Sequence, residues 1–286
     1  MVTYGAVIEQ FARHLKSRGR PETTTKNYVC EVLRFASWLY PVSLRDASPA
    51  HLTRYLDELV RRGAALATHN RTFYALKRFY DFLASELRAI EANPLAFLQP
   101  QKHEPPLPEA LSRRDIKRVL ASMDGRARDR ALFLLLLSSG IRLSEALALN
   151  VEDISFDRNG LTVRITGGNG KPEREAFPSR QCARVVATYL RERGDDPGPL
   201  FLSRNGRRLA ARTVQANFAR YFQKAGANGN ARWLRHTFAI RRLKAGAGLA
   251  DLQHLMGHKT MQSIQRYANL NGNDVRKVAI QTEEVY

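Results

Sequence analysis

The chain has 286 residues, 44% of them hydrophobic, which suits about two packed domains and excludes global disorder. Its 46 lysines and arginines against 27 acids leave a formal charge of +19, which points to a polyanion partner, nucleic acid ahead of an anionic membrane. No apolar run approaches the roughly 18 residues of a membrane span, no signal pattern opens the chain, and Cys30 and Cys182 make neither a disulfide framework nor a metal site, so the expectation is a cytoplasmic protein with free thiols and no membrane.

In chain order, Val7, Ile8, Phe11 and Leu15 recur at helical spacing, and Gly19-Arg20-Pro21 interrupts them. Thr23–Thr25 offer N-caps for a second helix whose apolar face is Tyr28, Val32, Phe35 and Leu39, closed by Pro41. Ser48-Pro49 predicts a third start, with Leu52, Tyr55, Leu56 and Leu59 inward and Gly63 as the stop. Thr68 offers a cap for a fourth, with Phe73, Leu76, Tyr80 and Leu83 on one side. The polar faces of this small bundle are basic. Lys16, Arg18, Arg20 and Lys26 flank the first turn, and Arg71, Lys77 and Arg78 lie around the fourth helix. On a chain this cationic, they are candidate contacts to a phosphate backbone, which position a protein without reading sequence.

Asn93-Pro94 closes the bundle, and four prolines between Gln99 and Pro108 make a stiff connector. The expected organisation is therefore an N-terminal helical domain at 1–98, a linker at 99–111 and a second domain at 112–286. Ser112, followed three residues later by Asp115, reads as a helix start. Helices are expected over Ile116–Met123 and Arg128–Ser138, the second stopped by Gly140. Another begins near Ile141 with Leu143, Ala146 and Leu149 inward. Leu161–Thr166 alternates and is β-branched, so it reads as a strand, with a turn at Gly167–Gly170 and a returning strand at Glu173–Pro178. Helices resume at Gln181–Arg193 and Thr213–Lys224, the latter with Val214, Phe218 and Phe222 on one stripe. Leu200–Leu202 is a short extended piece between them, and a final helical segment is expected at Asp274–Val285. The fold class is mainly α with a small β-sheet, an α+β chain.

Three segments carry chemistry. In Gly140-Ile141-Arg142-Leu143-Ser144-Glu145 an arginine enters where one helix stops and the next starts. Glu145, three positions on, can hold its guanidinium. The stretch Arg232-Trp233-Leu234-Arg235-His236-Thr237-Phe238-Ala239 brings a second arginine. Leu255-Met256-Gly257-His258 is followed by Tyr267. An arginine grips two phosphate oxygens with its planar fork. A histidine handles a proton near neutral pH, and a tyrosine is a nucleophile able to form a covalent intermediate.

Together, in this order, these segments resemble the tyrosine recombinase (phage integrase) family, with a Xer-like outline. The helical N-terminal half, the proline-rich connector and the Ser112-Arg113-Arg114-Asp115-Ile116 restart are similar to that family's SAM-like core-binding domain and hinge. The resemblance implies a site-specific DNA recombinase that cuts and rejoins double-stranded DNA through a 3′-phosphotyrosyl bond, without metal, ATP or other cofactor. It implies catalytic roles for Arg142, Lys171, Arg232, Arg235, His258 and Tyr267, with Glu145 in support, and a homotetramer on paired sites with room for an accessory protein or partner recombinase. Two positions depart from the family pattern. Arg232 stands where a histidine is usual, three residues before the second arginine. The place early in the β-turn that usually holds a lysine falls in the Gly167-Gly168 region, leaving Lys171 as the nearby candidate. Two rivals stay open: a DNA-binding regulator with a degenerate site, and a type IB topoisomerase.

Overall fold

The computed structural model describes residues 4–102, 109–167 and 172–257 and the single positions 260, 264 and 267. The expected segment at Asp274–Val285 lies outside the described residues. The chain divides into two compact units, Met1–Pro105 and Pro106–Tyr286.

The first unit holds α1 (Tyr4–Ser17), α2 (Glu22–Leu39), α3 (Pro49–Arg61) and α4 (Leu66–Asp81), the last running into a π-helical turn at Phe82–Glu86. The apolar stripes read from the sequence meet in one core, with Phe11, Phe35, Leu52, Phe73, Leu76 and Phe79 fully buried. Tyr80 is buried among them and donates its hydroxyl to the carbonyl of Leu44 at 3.0 Å. Ser48 caps α3, with Pro49 in the first turn, as its sequence predicts. The threonine caps are a correction. α2 begins after Pro21 with no side-chain cap, and Thr25 is buried inside the helix. α4 begins after Ala65, which places Thr68 within its first turn. In both cases the packed face fixes the entry, and at α2 Pro21 supplies a preset φ where a cap would otherwise be needed.

The second unit comprises α5 (Arg113–Ser122), α6 (Ala127–Ser139), α7 (Leu143–Ala148), three strands, then α8 (Arg180–Arg193), α9 (Ala211–Lys224), α10 (Ala231–Lys244) and α11 (Leu249–Met256). Ser112 caps α5, accepting from the backbone of Asp115 at 3.0 Å. From Ala131 to Leu137 α6 is apolar and buried all round, and it is the centre of the core, packing against α8 and α10. The strands β1 (Ile154–Asp157), β2 (Gly160–Thr166) and β3 (Pro172–Ala176) form one antiparallel sheet in the order β1-β2-β3. The expected hairpin is β2-β3, and β1 extends it. Leu161, Val163 and Ile165 of β2 face inward, and register pairs Val163 with Ala176 and Ile165 with Arg174. That period-two alternation puts Arg174 at an inward position normally given to an apolar residue. Among the described residues, no helix is long and apolar enough to cross a membrane.

Candidate active site

Two helix ends converge in the second unit. α6 ends at Gly140 and α11 at Gly257, both with left-handed φ, 66° and 60°. A Cβ on Gly140 would run into the Phe238 ring, and one on Gly257 into the Arg174 guanidinium, so backbone conformation and close approach both require glycine. The carbonyls at these ends anchor two arginines from distant parts of the chain. Arg142, just before α7, donates Nη2 to the Gly257 carbonyl at 2.9 Å. Arg235, in the second turn of α10, donates Nη1 to the Gly140 carbonyl and Nη2 to the Met256 carbonyl, the latter at 2.7 Å. The arginines are thereby held side by side on backbone that cannot shift without breaking a helix end.

Glu145 ties this arrangement to the sheet. One carboxylate oxygen accepts from Arg142 Nη1 at 2.7 Å; the other accepts from the Arg142 backbone N–H at 2.7 Å and from Arg174 Nη2 at 2.8 Å. Burial alone would raise the Glu145 pKa. The hydrogen bonds and charges of Arg174 and Arg142 outweigh burial and hold it below the usual carboxylate value. Arg174 itself has a side chain only 2% exposed, whereas Arg142 keeps 42%. Arg142 is thus the member of that trio open to a ligand, and Arg174 is internal scaffolding. Among the described residues, the Arg235 guanidinium is held by carbonyls and by no carboxylate. Burial first, and then the neighbouring charge of Arg142, pull its pKa down to about 10, so it remains a cation at neutral pH. A buried guanidinium destabilised by a second cation beside it is a ready site for an anion.

Tyr267 lies at the edge of this site, near enough that its ionised form would act on the Arg235 charge. It is buried, 3% exposed, in a cluster with Phe238, Leu252, Met256 and Ile264. Its hydroxyl is 2.6 Å from Nδ1 of His236, which is 8% exposed. Of the other sequence-derived candidates, Arg232 is exposed in the first turn of α10, where its backbone N–H is capped by Asn230 at 2.9 Å. It stands three positions before Arg235, on the same helix side. Lys171 and His258 lie outside the described residues.

In the first unit, Arg71 donates to Glu31 at 3.1 Å while its side chain stays 48% exposed. Glu31 is buried and also accepts from Arg34 at 3.0 Å and from Thr72 at 3.1 Å. Lys77 is half-buried with its ammonium 6.0 Å from the centre of the Phe73 ring. Arg78 is half-buried, and its Nε has no hydrogen-bond partner among the described residues.

Two participants escaped the sequence reading. Arg174 had a signal, a charged residue at an inward register position of a strand. His236 had a weaker one, adjacency to Arg235 in a helix whose next residues are apolar.

A convergent pair of arginines, braced by a carboxylate and set beside a tyrosine, is a site of the phosphoryl-transfer class. The phage integrase family model matches residues 109–274, and the model for the phage integrase N-terminal SAM-like domain matches residues 8–87. The tyrosine recombinase XerC of Chromobacterium violaceum is 33% identical over 279 residues, covering 95% of this chain and 92% of the relative. Among solved structures, a XerH site-specific recombinase bound to a palindromic difH substrate in a post-cleavage complex superposes with a TM-score of 0.75 at 21% identity, covering 95% of this chain and 83% of that one. A lambda integrase tetramer bound to a Holliday junction gives a TM-score of 0.72 at 19% identity, covering 91% and 78%. These two likenesses are of fold. The chain belongs to the phage integrase family of site-specific tyrosine recombinases.

Proposed function

We propose that this chain cuts and rejoins duplex DNA at specific sites through a 3′-phosphotyrosyl bond on Tyr267. Residues 1–98 hold the DNA, 99–111 connect, and 112–286 carry the chemistry. The observation that supports this reading best is the pairing of Arg142 and Arg235 on the glycine-ended helices beside Tyr267. The two guanidinium groups clamp the non-bridging oxygens of one phosphate and gain strength as negative charge grows in the transition state; one such donor is worth on the order of 10²–10³ in rate. Glu145 keeps Arg142 aimed. Arg232 adds a fixed positive charge near the phosphate. His258 hydrogen-bonds the same phosphate, and Lys171 protonates the leaving 5′-oxygen. Energy stored in the phosphotyrosyl link is returned when a 5′-hydroxyl of the partner strand attacks. Arg71, Lys77 and Arg78 contact the DNA backbone. Four copies bridging two sites in the cytoplasm, passing through a Holliday junction as a resolvase or a small mobile-element integrase, is the assembly that fits the family.

The test uses a duplex chosen by the protein itself from a random-sequence pool, nicked so that the 5′-hydroxyl fragment escapes after cleavage. Covalent capture by the wild-type protein, absent in Tyr267→Phe, is the expected result. Tight specific binding with no capture would mean a regulator instead. Plasmid relaxation with no joined products would mean a topoisomerase.

A further inference from the structure

We propose that His236 accepts the phenolic proton of Tyr267 as that tyrosine attacks phosphorus, an inference that rests on the recombinase reading above. A phenol has an unperturbed pKa of about 10 and is a poor nucleophile until its proton has somewhere to go. The 2.6 Å separation between the Tyr267 hydroxyl and His236 Nδ1 is within direct proton-transfer reach. Both side chains are buried, at 3% and 8% exposure, and Tyr267 sits in an apolar cluster where a local acceptor serves the phenol better than bulk water.

Among the described residues, the neighbouring groups are poorer acceptors. Arg142, Arg174 and Arg235 are cations without a basic lone pair. Glu145 accepts from Arg142 and Arg174 through both oxygens, and those bonds keep its proton affinity low. His236 also stands on a rigid element. The next residue, Thr237, accepts from the Leu111 backbone N–H at 2.8 Å and donates to the Trp233 carbonyl at 2.7 Å, which pins this turn of α10. Arg235 and His236 are consecutive, so one helical turn carries a phosphate clamp and the base for the nucleophile together.

The bond from Tyr267 Oη to phosphorus forms, the bond from phosphorus to the 5′-oxygen breaks, and the phenolic proton passes to Nδ1. The 5′-oxygen leaves with its electron pair and takes a proton from a separate acid, a lysine ammonium or water. In rejoining, the His236 imidazolium returns the proton to the phenol oxygen as the 5′-hydroxyl attacks.

Single-turnover capture on the nicked duplex described above tests this, run in parallel on the same duplex with sulfur in place of the 5′-bridging oxygen. Expected are about 10²-fold slower capture in both His236→Ala and His236→Asn, unchanged DNA affinity and thermal melting, no restoration by sulfur, and partial rescue of His236→Ala by added imidazole. Asparagine can still hydrogen-bond the phenol but is hardly basic, so wild-type rates in His236→Asn would reduce the residue to positioning and overturn the proposal. So would restoration by the sulfur leaving group, or capture by His236→Ala within twofold of wild type. Should His236→Ala fail to fold, His236→Asn decides alone. A wild-type protein that captures no DNA would overturn the recombinase reading and this inference with it.

Discussion

Glu145 sets the electrostatics around the candidate active site. Its carboxylate is the counter-charge for Arg174, whose side chain is 2% exposed, and it orients the more open Arg142. Glu145→Gln would leave the Arg174 charge buried with only a neutral acceptor, and removing one member of a buried pair costs about 3–5 kcal/mol. The expected outcome is a lower melting temperature together with slower DNA capture, because Arg142 also loses its brace. The pH dependence has a definite sign. A folded pKa held below the ordinary glutamate value of 4.5 contributes stability that is fully present above 4.5 and lost as pH falls through the lower folded value. Urea unfolding from neutral to acid pH should show that loss in the wild type and a shallower acid limb in Glu145→Gln; equal limbs would refute the role. Gly140 allows a second test. Alanine there must adopt a left-handed φ and push into the Phe238 ring, while the Gly140 carbonyl still has to meet Arg235. Backbone strain alone is on the order of 1–3 kcal/mol, so Gly140→Ala should melt earlier and capture DNA more slowly. Unchanged melting would show that this turn can relax.

At the scale of elements, α6 and α9 are joined by a polar clasp inside the core of the second unit. The Asp129 carboxylate, buried on α6, accepts from the Tyr221 hydroxyl at 2.7 Å and from Asn217 at 3.2 Å on α9, and from Arg128 at 2.8 Å. Burial first, then Asp129, push the Tyr221 hydroxyl up to about 12, so it stays a donor across the working range of pH. Tyr221→Phe should cost about 1–2 kcal/mol, seen as a lower urea midpoint with the same denaturant slope and no change in DNA capture per folded molecule. A change in slope would mean that α9 detaches. The same elements show what a sequence makes legible. Helical stripes such as Val32, Phe35 and Leu39, or Val214, Phe218 and Phe222, are buried in the structure because core packing is what produces their period. β1 gave no such pattern, since its four residues are one half-buried isoleucine followed by three exposed positions. The helix entries at Glu22 and Leu66 misled because tertiary packing outranks a threonine cap. Arg142, Glu145, Arg235 and Tyr267 could be picked out as side chains, but the carbonyls that anchor the arginines belong to backbone and have no letter of their own. The His236–Tyr267 contact was hidden for another reason: it joins residues 31 positions apart through an apolar cluster that spacing does not reveal.

For the molecule as a whole, charge is the dominant property. A formal excess of +19 repels itself in the folded state, and it is relieved when phosphates release their counterions to bulk. Affinity for DNA should therefore fall linearly in log–log form with salt, at about 0.9 per phosphate contacted. Arg71 makes the prediction specific. Its guanidinium is tied to buried Glu31 yet remains 48% exposed, so it is ordered in advance and still open to a ligand, and Arg34 shares the same carboxylate. A side chain ordered in this way gives up little entropy when a phosphate arrives. Arg71→Ala should lower affinity for all duplex sequences alike and reduce the salt slope by about one contact. The measurement is a binding titration at several salt concentrations on the selected duplex and on an unrelated one. A slope that does not change, or a loss confined to the selected duplex, would remove Arg71 from the backbone-contacting set and point to base reading or to a purely structural bond with Glu31.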